Sequence, residues 1–554
     1  MAKDLKKYKD EILFCPLGGT DEIGVNCYLY QYKGKWLIVD LGIGFADDHY
    51  PGVDLLVPDI AFLISVKANI AGMVITHAHE DHLGAISYLW QELRVPIYTT
   101  KFTASVLKAK LSEAGLADKV PVHEIKENAK FEIGPFDLEF IGITHSVPEM
   151  QGLVIRTEKG NIFHTGDWKF DPDPVIGQHT NMKRLKEIGD EGVLAMVCDS
   201  TNIFVEGHSG SEGELKNSLT DLIAGFKKHL VVVTTFASNI ARVYSIAKAA
   251  EKAGRKVSLA GTSLWRMYHA AVECGYMKDA PDFIRPKEIN RYKREELLVI
   301  ATGCQGEANA AVNKLSRDDH QDFKLQKGDM VIFASKIIPG NEVKIFGLFN
   351  KFCKSKIEVL TEKDHFVHVS GHPAREEVAK MYELVRPKIA IPVHGEPMHI
   401  HEHCNFAKKH GAKHTVQVED GMLVHIADEP SVVGHVQTGK MAIDGNFILS
   451  PDSEILKMRR RMRDDGIVFV SIVLSKNGRL LKQPTIVAPG VLDSREDADY
   501  YDNITEEVRE YIQAHNKLSD GDMENKIRTI VKRFMKAEIG KHPKIFVQVQ
   551  RVAI

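Results

Sequence analysis

The sequence predicts an α/β protein of several domains, on three observations. Short apolar runs alternate with amphipathic, helix-like stretches along most of the chain. The runs "KWLIVD" and "LAMVCD" are nearly continuous in apolar residues, as strands covered on both faces are. A length of 554 residues exceeds what one hydrophobic core organises. Hydrophobic residues make up 44% and charged residues 27%, a globular balance, and a net charge of −3 gives no global pull toward polyanions or membranes. The seven cysteines are scattered without a C-x-x-C pair and read as reduced packing residues, not a disulfide frame or zinc ribbon. The charged start "MAKDLKKYKDEILFCPLGG" lacks the apolar core of a signal peptide, and nothing resembles a membrane span. A cytoplasmic protein is expected.

In chain order, "EILFCPLGG", "NCYLYQYKGKWLIVDLG", "AGMVITHAH", "VPIYTT", "FDLEFIGITHS", "GLVIRTEKGNIFHTGDW" and "VLAMVCDST" read as strands of a first domain over residues 1–205. Polar residues gather where these strands end: Asp40, His77, His145, Asp167, Asp199. Open α/β folds put their chemistry there, because loops at strand ends are free to vary. From 206 to 360 the texture becomes strand–helix alternation, opened by a helix at "GHSGSEGEL" with Ser211 and Glu214 spaced as a capping box. It reads as a second α/β domain with a mainly parallel sheet. Short strands ending in histidines return over 361–450. A small α+β tail follows over 456–554, with a helical stretch from about Thr505 to Lys536.

The densest chemistry is "THAHEDHLG": three histidines and two carboxylates fall within His77 to His82. In an extended segment residues two apart face the same way, so His77 and His79 present both rings to one side. Asp81 and His82 follow where a helix begins and reach the same space from another direction. Metal binding needs neutral imidazoles and ionised carboxylates converging in this manner. The spacing is H-x-H-x-D-H, not the i, i+4 pair of a zincin protease helix. A plain polar helix N-terminus explains one such residue, not four.

H-x-H-x-D-H after an apolar strand resembles the signature of the metallo-β-lactamase fold. "LIVDLG" (Asp40), "GITHSVPE" (His145), "IFHTGDWKF" (Asp167) and "IPVHGE" (His394) follow that superfamily in order. The resemblance implies an αββα sandwich holding two divalent cations per subunit. One is taken by His77, His79 and His145, the other by Asp81, His82 and His394. Asp167 bridges them, and Asp40 orients a ligand histidine. The donor set suits Zn²⁺, with Mn²⁺ as the alternative at the weaker site. Asp167 stands where true β-lactamases often have cysteine, which favours phosphodiester chemistry.

The long interval from Asp167 to His394 implies an inserted domain, as in the β-CASP branch, whose members cut nucleic acids. "CDST" (Asp199), "HFVHVSGHP" (His368) and "PVHGE" (His394) match that branch, and histidine at its last motif goes with RNA. "PLGGTDEIGVNCYLY", "TTFASNIARV", "TGCQGE", "ASKIIPGNE" and "HVSGHPAREE" resemble the ribonuclease J family over nearly the whole chain, tail included. That resemblance implies 5′-to-3′ exonuclease and endonuclease action on single-stranded RNA, a 5′-monophosphate being preferred, in rRNA processing and mRNA decay. Asp81 would aim the attacking water, and His368 would contact the scissile phosphate or protonate the leaving oxygen. Ser238, Asn239, Ser335, Ser370, Gly371 and His372, with hydroxyl or backbone N–H donors, are the expected lining of a phosphate pocket. The basic run "KMRRRMR" (457–463) suits either RNA backbone or a solvated helix face. The same resemblance implies that the tail contributes homodimer or homotetramer contacts, with RNA-decay or ribosome-associated proteins as expected partners.

Other readings fit less well. An amidohydrolase barrel needs regular strand–helix repeats that the chain lacks after 205. A lipase-type hydrolase needs G-x-S-x-G, of which "GHSGS" lacks the last glycine. A glyoxalase-like thioester hydrolase leaves the insert and tail unexplained. An RNA-binding scaffold with a vestigial site is at odds with the complete ligand set.

Overall fold

A computed structural model describes residues 5–553; residues 1–4 of the charged N-terminal stretch, and Ile554, lie outside the described residues. The predicted strands of the first 200 residues assemble into two sheets. The first has eight strands, ordered Ser431–His435, Met422–Ile426, Ile12–Gly18, Cys27–Tyr32, Lys35–Val39, Ile70–Val74, Ile97–Thr99 and Val122–Glu124. The second has seven, ordered His414–Thr415, Ile389–Val393, Ala195–Asp199, Gly160–His164, Gln151–Thr157, Phe136–Gly142 and Lys130–Ile133. The sheets meet through one core, to which the first contributes Phe14, Tyr30, Leu37 and Val74 and the second Leu138, Phe140, Ile155, Val197 and Ile391. Each of these is removed from water, the main driving force for the packing.

Helices cover the outer faces. Ile86–Leu93 buries Ile86, Leu89, Trp90 and Leu93, the spacing of one helical stripe. On the second sheet, Ile141, Val154, Phe163 and Met196 meet Leu185, Ile188, Met381 and Tyr382 from Met182–Glu191 and Arg375–Val385. Two helix-covered sheets face to face make the αββα sandwich that the sequence predicts.

Strand direction positions the site. Lys35–Val39 runs parallel to Ile70–Val74. In the second sheet Gly160–His164, Ala195–Asp199 and Ile389–Val393 are mutually parallel, with Asp199 in register with Val393. Their carboxyl ends therefore open at one edge, which carries Asp167, Asp199 and His394.

The insert is a six-stranded parallel sheet, ordered Phe283–Ile284, Lys256–Ala260, Leu297–Ala301, Val231–Thr234, Met330–Phe333 and Glu358–Leu360. Its central strands are wholly buried, as their continuous apolar runs require. The helix Glu212–Gly225 leads into it, and Ser211 Oγ caps that helix by accepting from Gly213 N at 3.1 Å.

By compactness the chain divides into two units. One comprises the chain up to Gly44 with Val57–Gly439, the other Phe45–Leu56 with the chain from Lys440 onward. In the second unit, Val53, Leu56, Ala442 and Leu456 form a small core. The Ile467–Ser475 strand buries Val468, Val470, Ile472 and Leu474 and leaves Phe469 and Ser471 exposed, a strict alternation. It pairs in parallel with Lys544–Val552 and antiparallel with Thr485–Val487. The single helical stretch expected near Thr505–Lys536 is two helices, Ala498–Ala514 and Asp520–Phe534. Ser519 ends the first reading, because its Oγ accepts from Asp522 N at 3.2 Å and starts a new helix. The basic run lies in the helix Glu454–Asp465. Arg459 binds Asp444 at 2.7 Å, Arg460 donates to the His49 and Pro451 carbonyls, and Arg463 donates to the Asp48 carbonyl. Three of its arginines are thus engaged within their own unit. Among the described residues, no helix is long and apolar enough to cross a membrane.

Candidate metal centre and its surroundings

Four strand ends and one short helix deliver the cluster. His77 and His79 follow Ile70–Val74, Asp81 and His82 sit in the helix Glu80–Leu83, and His145, Asp167 and His394 follow strands of the second sheet. The donor atoms fall into overlapping groups. His77, His79, His145 and Asp167 form one, and Asp81, His82, Asp167 and His394 another, all atoms in a group lying within 4.8 Å of each other. Asp167 also joins Asp199, His372 and His394 in a third.

The outward contacts of the rings fix which nitrogen faces inward. His82 Nδ1–H donates to Asp40 Oδ2 at 2.7 Å, and His145 Nδ1–H donates to the Gly371 carbonyl at 2.6 Å. His394 Nδ1–H donates to Thr201 Oγ1 at 2.7 Å, which in turn donates to Asp199 Oδ1 at 2.7 Å. His77 Nδ1–H donates to Thr76 Oγ1 at 2.9 Å, which donates to Asp40 Oδ2 at 2.9 Å. The Nε2 atoms of these four rings therefore point into the cluster. His79 Nδ1 stands 3.1 Å from both His77 Nε2 and His145 Nε2. At most one proton is shared among three such nitrogens, so bare lone pairs face one another across a gap suited to a cation. The donor set fits a metal, and acceptors behind these candidate ligand histidines are what metal sites use to fix the tautomer.

Electrostatics agree. Burial, then the neighbouring histidines, hold His77 and His145 well below the usual imidazole range, and burial brings His79 down to about 4. All three are neutral, as ligands must be. Burial alone would raise Asp81 and Asp167, but His82 and His394 outweigh it and hold both well below the usual carboxylate range. Burial opposes charge on His394 too, yet Asp167, Asp199 and Asp81 raise it to about 10, and His82 rises for the same reason. Carboxylates that draw a proton onto these rings draw a divalent cation equally.

Backbone geometry tightens the site. Asp40 and His394 adopt φ of 65° and 53°, a region in which Asp and His are enriched among non-glycine residues. His394 N donates to the Gly19 carbonyl at 2.6 Å. Gly42 packs so closely that a Cβ there would lie 1.6 Å from Asp81 O.

Several partners escape a reading of the sequence. Asn26, fully buried, donates through Nδ2 to Asp81 O at 3.0 Å and Asp81 Oδ2 at 3.3 Å, and is itself held by Tyr28 OH at 2.7 Å. Its only sign in the sequence is a lone amide opening a buried strand. Thr201 and Thr76 are equally inconspicuous.

The two histidines of "HFVHVSGHP" separate. His368 Nδ1 faces Arg242 Nη1 at 3.5 Å, and burial, Arg242, Lys336 and Lys169 push it down to about 3. His368 is in none of the donor groups. His372 instead stacks on His394, rings 5.4 Å apart at 18°, and stands 5.3 Å from the His145 ring. Its Nδ1 contacts Asp199 Oδ2 at 2.8 Å. Burial disfavours charge on it, but Asp199 prevails and raises it. The reason is register: Asp199 and Val393 are cross-strand partners, so Asp199 lies beside His394 and meets the turn that ends in His372.

The expected phosphate-pocket residues divide in the same way. Gly371 and His372 stand at the candidate metal centre. Asn239 Oδ1 caps the helix Ile240–Lys252 by accepting from Arg242 N at 2.8 Å. Ser370 Oγ accepts from Asn202 Nδ2 at 2.7 Å and from His372 N at 3.1 Å. Ser238 and Ser335 lie past the carboxyl ends of the adjacent parallel strands Val231–Thr234 and Met330–Phe333.

Comparison with known proteins fits this geometry. Family models match as "Beta-lactamase superfamily domain" over residues 48–185, "Ribonuclease J, beta-CASP domain" over 228–352, "Zn-dependent metallo-hydrolase RNA specificity domain" over 356–418 and "Ribonuclease J C-terminal domain" over 454–552. Ribonuclease J of Sinorhizobium meliloti is 37% identical over 100% of this chain and 98% of its own length. Ribonuclease J of Thermus thermophilus is 33% identical over 97% and 95%. A crystal structure of a protein of unknown function from Enterococcus faecalis V583 shares the fold at TM-score 0.50 and 17% identity, over 76% of this chain and 100% of that one. The chain belongs to the ribonuclease J family, metal-dependent nucleases that combine a metallo-β-lactamase domain, an inserted β-CASP domain and a C-terminal domain.

Proposed function

We propose that this chain hydrolyses phosphodiester bonds of single-stranded RNA with two divalent cations per subunit, removing nucleotides from a 5′-monophosphorylated end and also cutting internally. The observation that carries the two-cation reading is the sharing of Asp167. Its Oδ2 lies 3.8 Å from His77 Nε2, 3.1 Å from His82 Nε2 and 3.7 Å from His394 Nε2, within reach of both ligand sets. His77, His79 and His145 would hold one ion, Asp81, His82 and His394 the other. Zn²⁺ suits these nitrogen and oxygen donors, with Mn²⁺ the alternative at the carboxylate-rich site. When bound, such cations lower the pKa of water and offset charge on phosphate oxygens.

The chain's own residues do the rest. Asp81, half-buried and steadied by Asn26, accepts a hydrogen bond from the attacking water and aims it at phosphorus. The water oxygen bonds to phosphorus, the bond to the 3′-oxygen breaks, and that oxygen takes a proton. The contact of His372 Nδ1 with Asp199 turns its other nitrogen away from Asp199, so we assign the proton donor to His372 in place of His368. This polarity leaves a fresh 5′-phosphate after every cut, the end that a phosphate pocket at Ser238, Ser335 and Ser370 would select.

In this reading residues 1–205 and 361–450 form the catalytic domain, 206–360 the insert, and 456–554 a tail through which copies of the chain associate as dimer or tetramer. The enzyme acts in the cytoplasm in RNA maturation and mRNA decay. The test compares 5′-labelled and body-labelled RNA bearing monophosphate, triphosphate or hydroxyl ends, alongside metal content. Mononucleotides released from monophosphorylated RNA, with two ions per chain that Asp167→Asn loses, are expected. One product ladder for all three ends rules out the phosphate pocket, and a single ion per chain rules out the two-cation centre.

A further inference from the structure

Four buried charges run from the metal centre into the insert. Lys169, 1% exposed, pairs with Asp171 at 2.9 Å, only two residues beyond Asp167. Asp171 Oδ2 accepts from Glu212 N at 2.9 Å. Glu212 in turn accepts from Arg242 Nε at 3.1 Å and Nη2 at 2.8 Å. Arg242, 0% exposed, sends its remaining donors to three carbonyls: Nη1 to Ala334 at 2.7 Å and Val367 at 3.4 Å, Nη2 to Val369 at 3.2 Å.

A buried ion pair is weak grounds for stability, since an apolar pair of similar volume often serves as well. What a guanidinium adds is a rigid fork with fixed donor directions. Here the fork grips the carbonyls on both sides of His368, immediately before the turn Ser370–His372. From that turn the Gly371 carbonyl receives His145 Nδ1–H at 2.6 Å, and His372 meets Asp199 at 2.8 Å. The segment is thus anchored at one end by Arg242 and engaged with the metal centre at the other.

We propose that Arg242 is a positioning residue for bond cleavage. By bracketing Val367 and Val369 it sets the turn that presents His372 to the leaving 3′-oxygen. The proposal rests on His372 as proton donor, and the test separates the two.

RNA has a basic leaving oxygen that needs a proton, whereas bis(4-nitrophenyl) phosphate releases an aryl oxide that does not. The readout is the ratio of kcat on 5′-monophosphorylated RNA to kcat on the aryl ester, at matched metal content, in the full chain. His372→Asn should lower this ratio by ~10²-fold or more, the usual worth of general acid catalysis. Arg242→Lys keeps the charge but not the fork. The double variant Glu212→Gln/Arg242→Gln leaves no orphaned charge and should melt near the parent. Both should lower the ratio by about tenfold or more, within the same range, with little change in KM. Recovery of the parental ratio in the double variant would make Arg242 a mere charge partner and overturn the proposal, as would equal losses on both substrates in Arg242→Lys. If His372→Asn itself loses both activities in proportion, the proton-donor reading falls, whatever the Arg242 variants do.

Discussion

Asparagine at position 40 alters one atom and tests how a ligand histidine is held. Asp40 is fully buried, accepting from Thr76 N at 2.8 Å on one oxygen and from Thr76 Oγ1 at 2.9 Å and His82 Nδ1 at 2.7 Å on the other. In Asp40→Asn the amide oxygen can keep Thr76 N, which leaves an NH₂ group against His82 Nδ1–H. Two donors then face each other, and the imidazole relieves the clash by moving its proton to Nε2. That nitrogen lies 3.1 Å from Asp167 Oδ2, so the proton takes the place of the metal bond. Asparagine tolerates the φ of 65° at this position, so backbone strain adds little. Loss of such an outer partner lowers metal affinity by about 10–100-fold, roughly 1.4–2.7 kcal/mol. The effect should fall mainly on the Asp81–His82–His394 site, because at the other site Thr76 Oγ1 stands between position 40 and His77 and still accepts from His77 Nδ1–H. The assay is metal content against graded chelator, followed by RNA cleavage against added Zn²⁺. One of two ions should leave at ~10–100-fold lower chelator strength, with activity restored by excess metal. Coincident chelator curves for variant and parent would refute the tautomer argument.

Two further outcomes follow from the packing and the charges. Gly42→Ala puts a methyl group 1.6 Å from Asp81 O and 2.7 Å from His82 N, backbone atoms that cannot step aside. The helix carrying both ligands must shift, so a chain that still folds should bind less metal and cleave RNA at least tenfold more slowly, because misplacement of about 1 Å costs on the order of 10² in rate; parental metal content would contradict this. Asp420 is pushed up to about 7 by burial and by the charges of Glu22 and Asp21. Its folded pKa exceeds its unfolded one, so its contribution is complete below pH ~4 and is lost as pH rises through about 7. Asp420→Asn should therefore flatten thermal stability over this window and melt above the parent at pH 8, by roughly 2–4 °C per kcal/mol recovered. Parallel melting curves at pH 4 and pH 8 would contradict the assignment.

Local patterns in the chain suffice to read the elements and the existence of the cluster. Strand and helix periodicities are written within a few residues of each other, so the continuous runs at Lys35–Val39, Ala195–Asp199 and Leu297–Ala301 were legible as buried strands. The cluster His77–His82 was legible because four of its donors are neighbours in the chain, and Asp40, His145, Asp167 and His394 because each ends an apolar run. The helix break at Ser519 escapes a reading of apolar residues, because what marks it is a polar cap, Ser519 Oγ accepting from Asp522 N. Partner choice was set only by the tertiary structure. Parallel register brings Asp199 to Val393, and with it His372 rather than His368 to the centre. Asn26 reaches Asp81 across 55 residues, and Arg242 grips Val367 and Val369 across 125 and 127. Such contacts leave no local periodicity, because a hydrogen bond between distant segments constrains one side chain at each end and nothing in between.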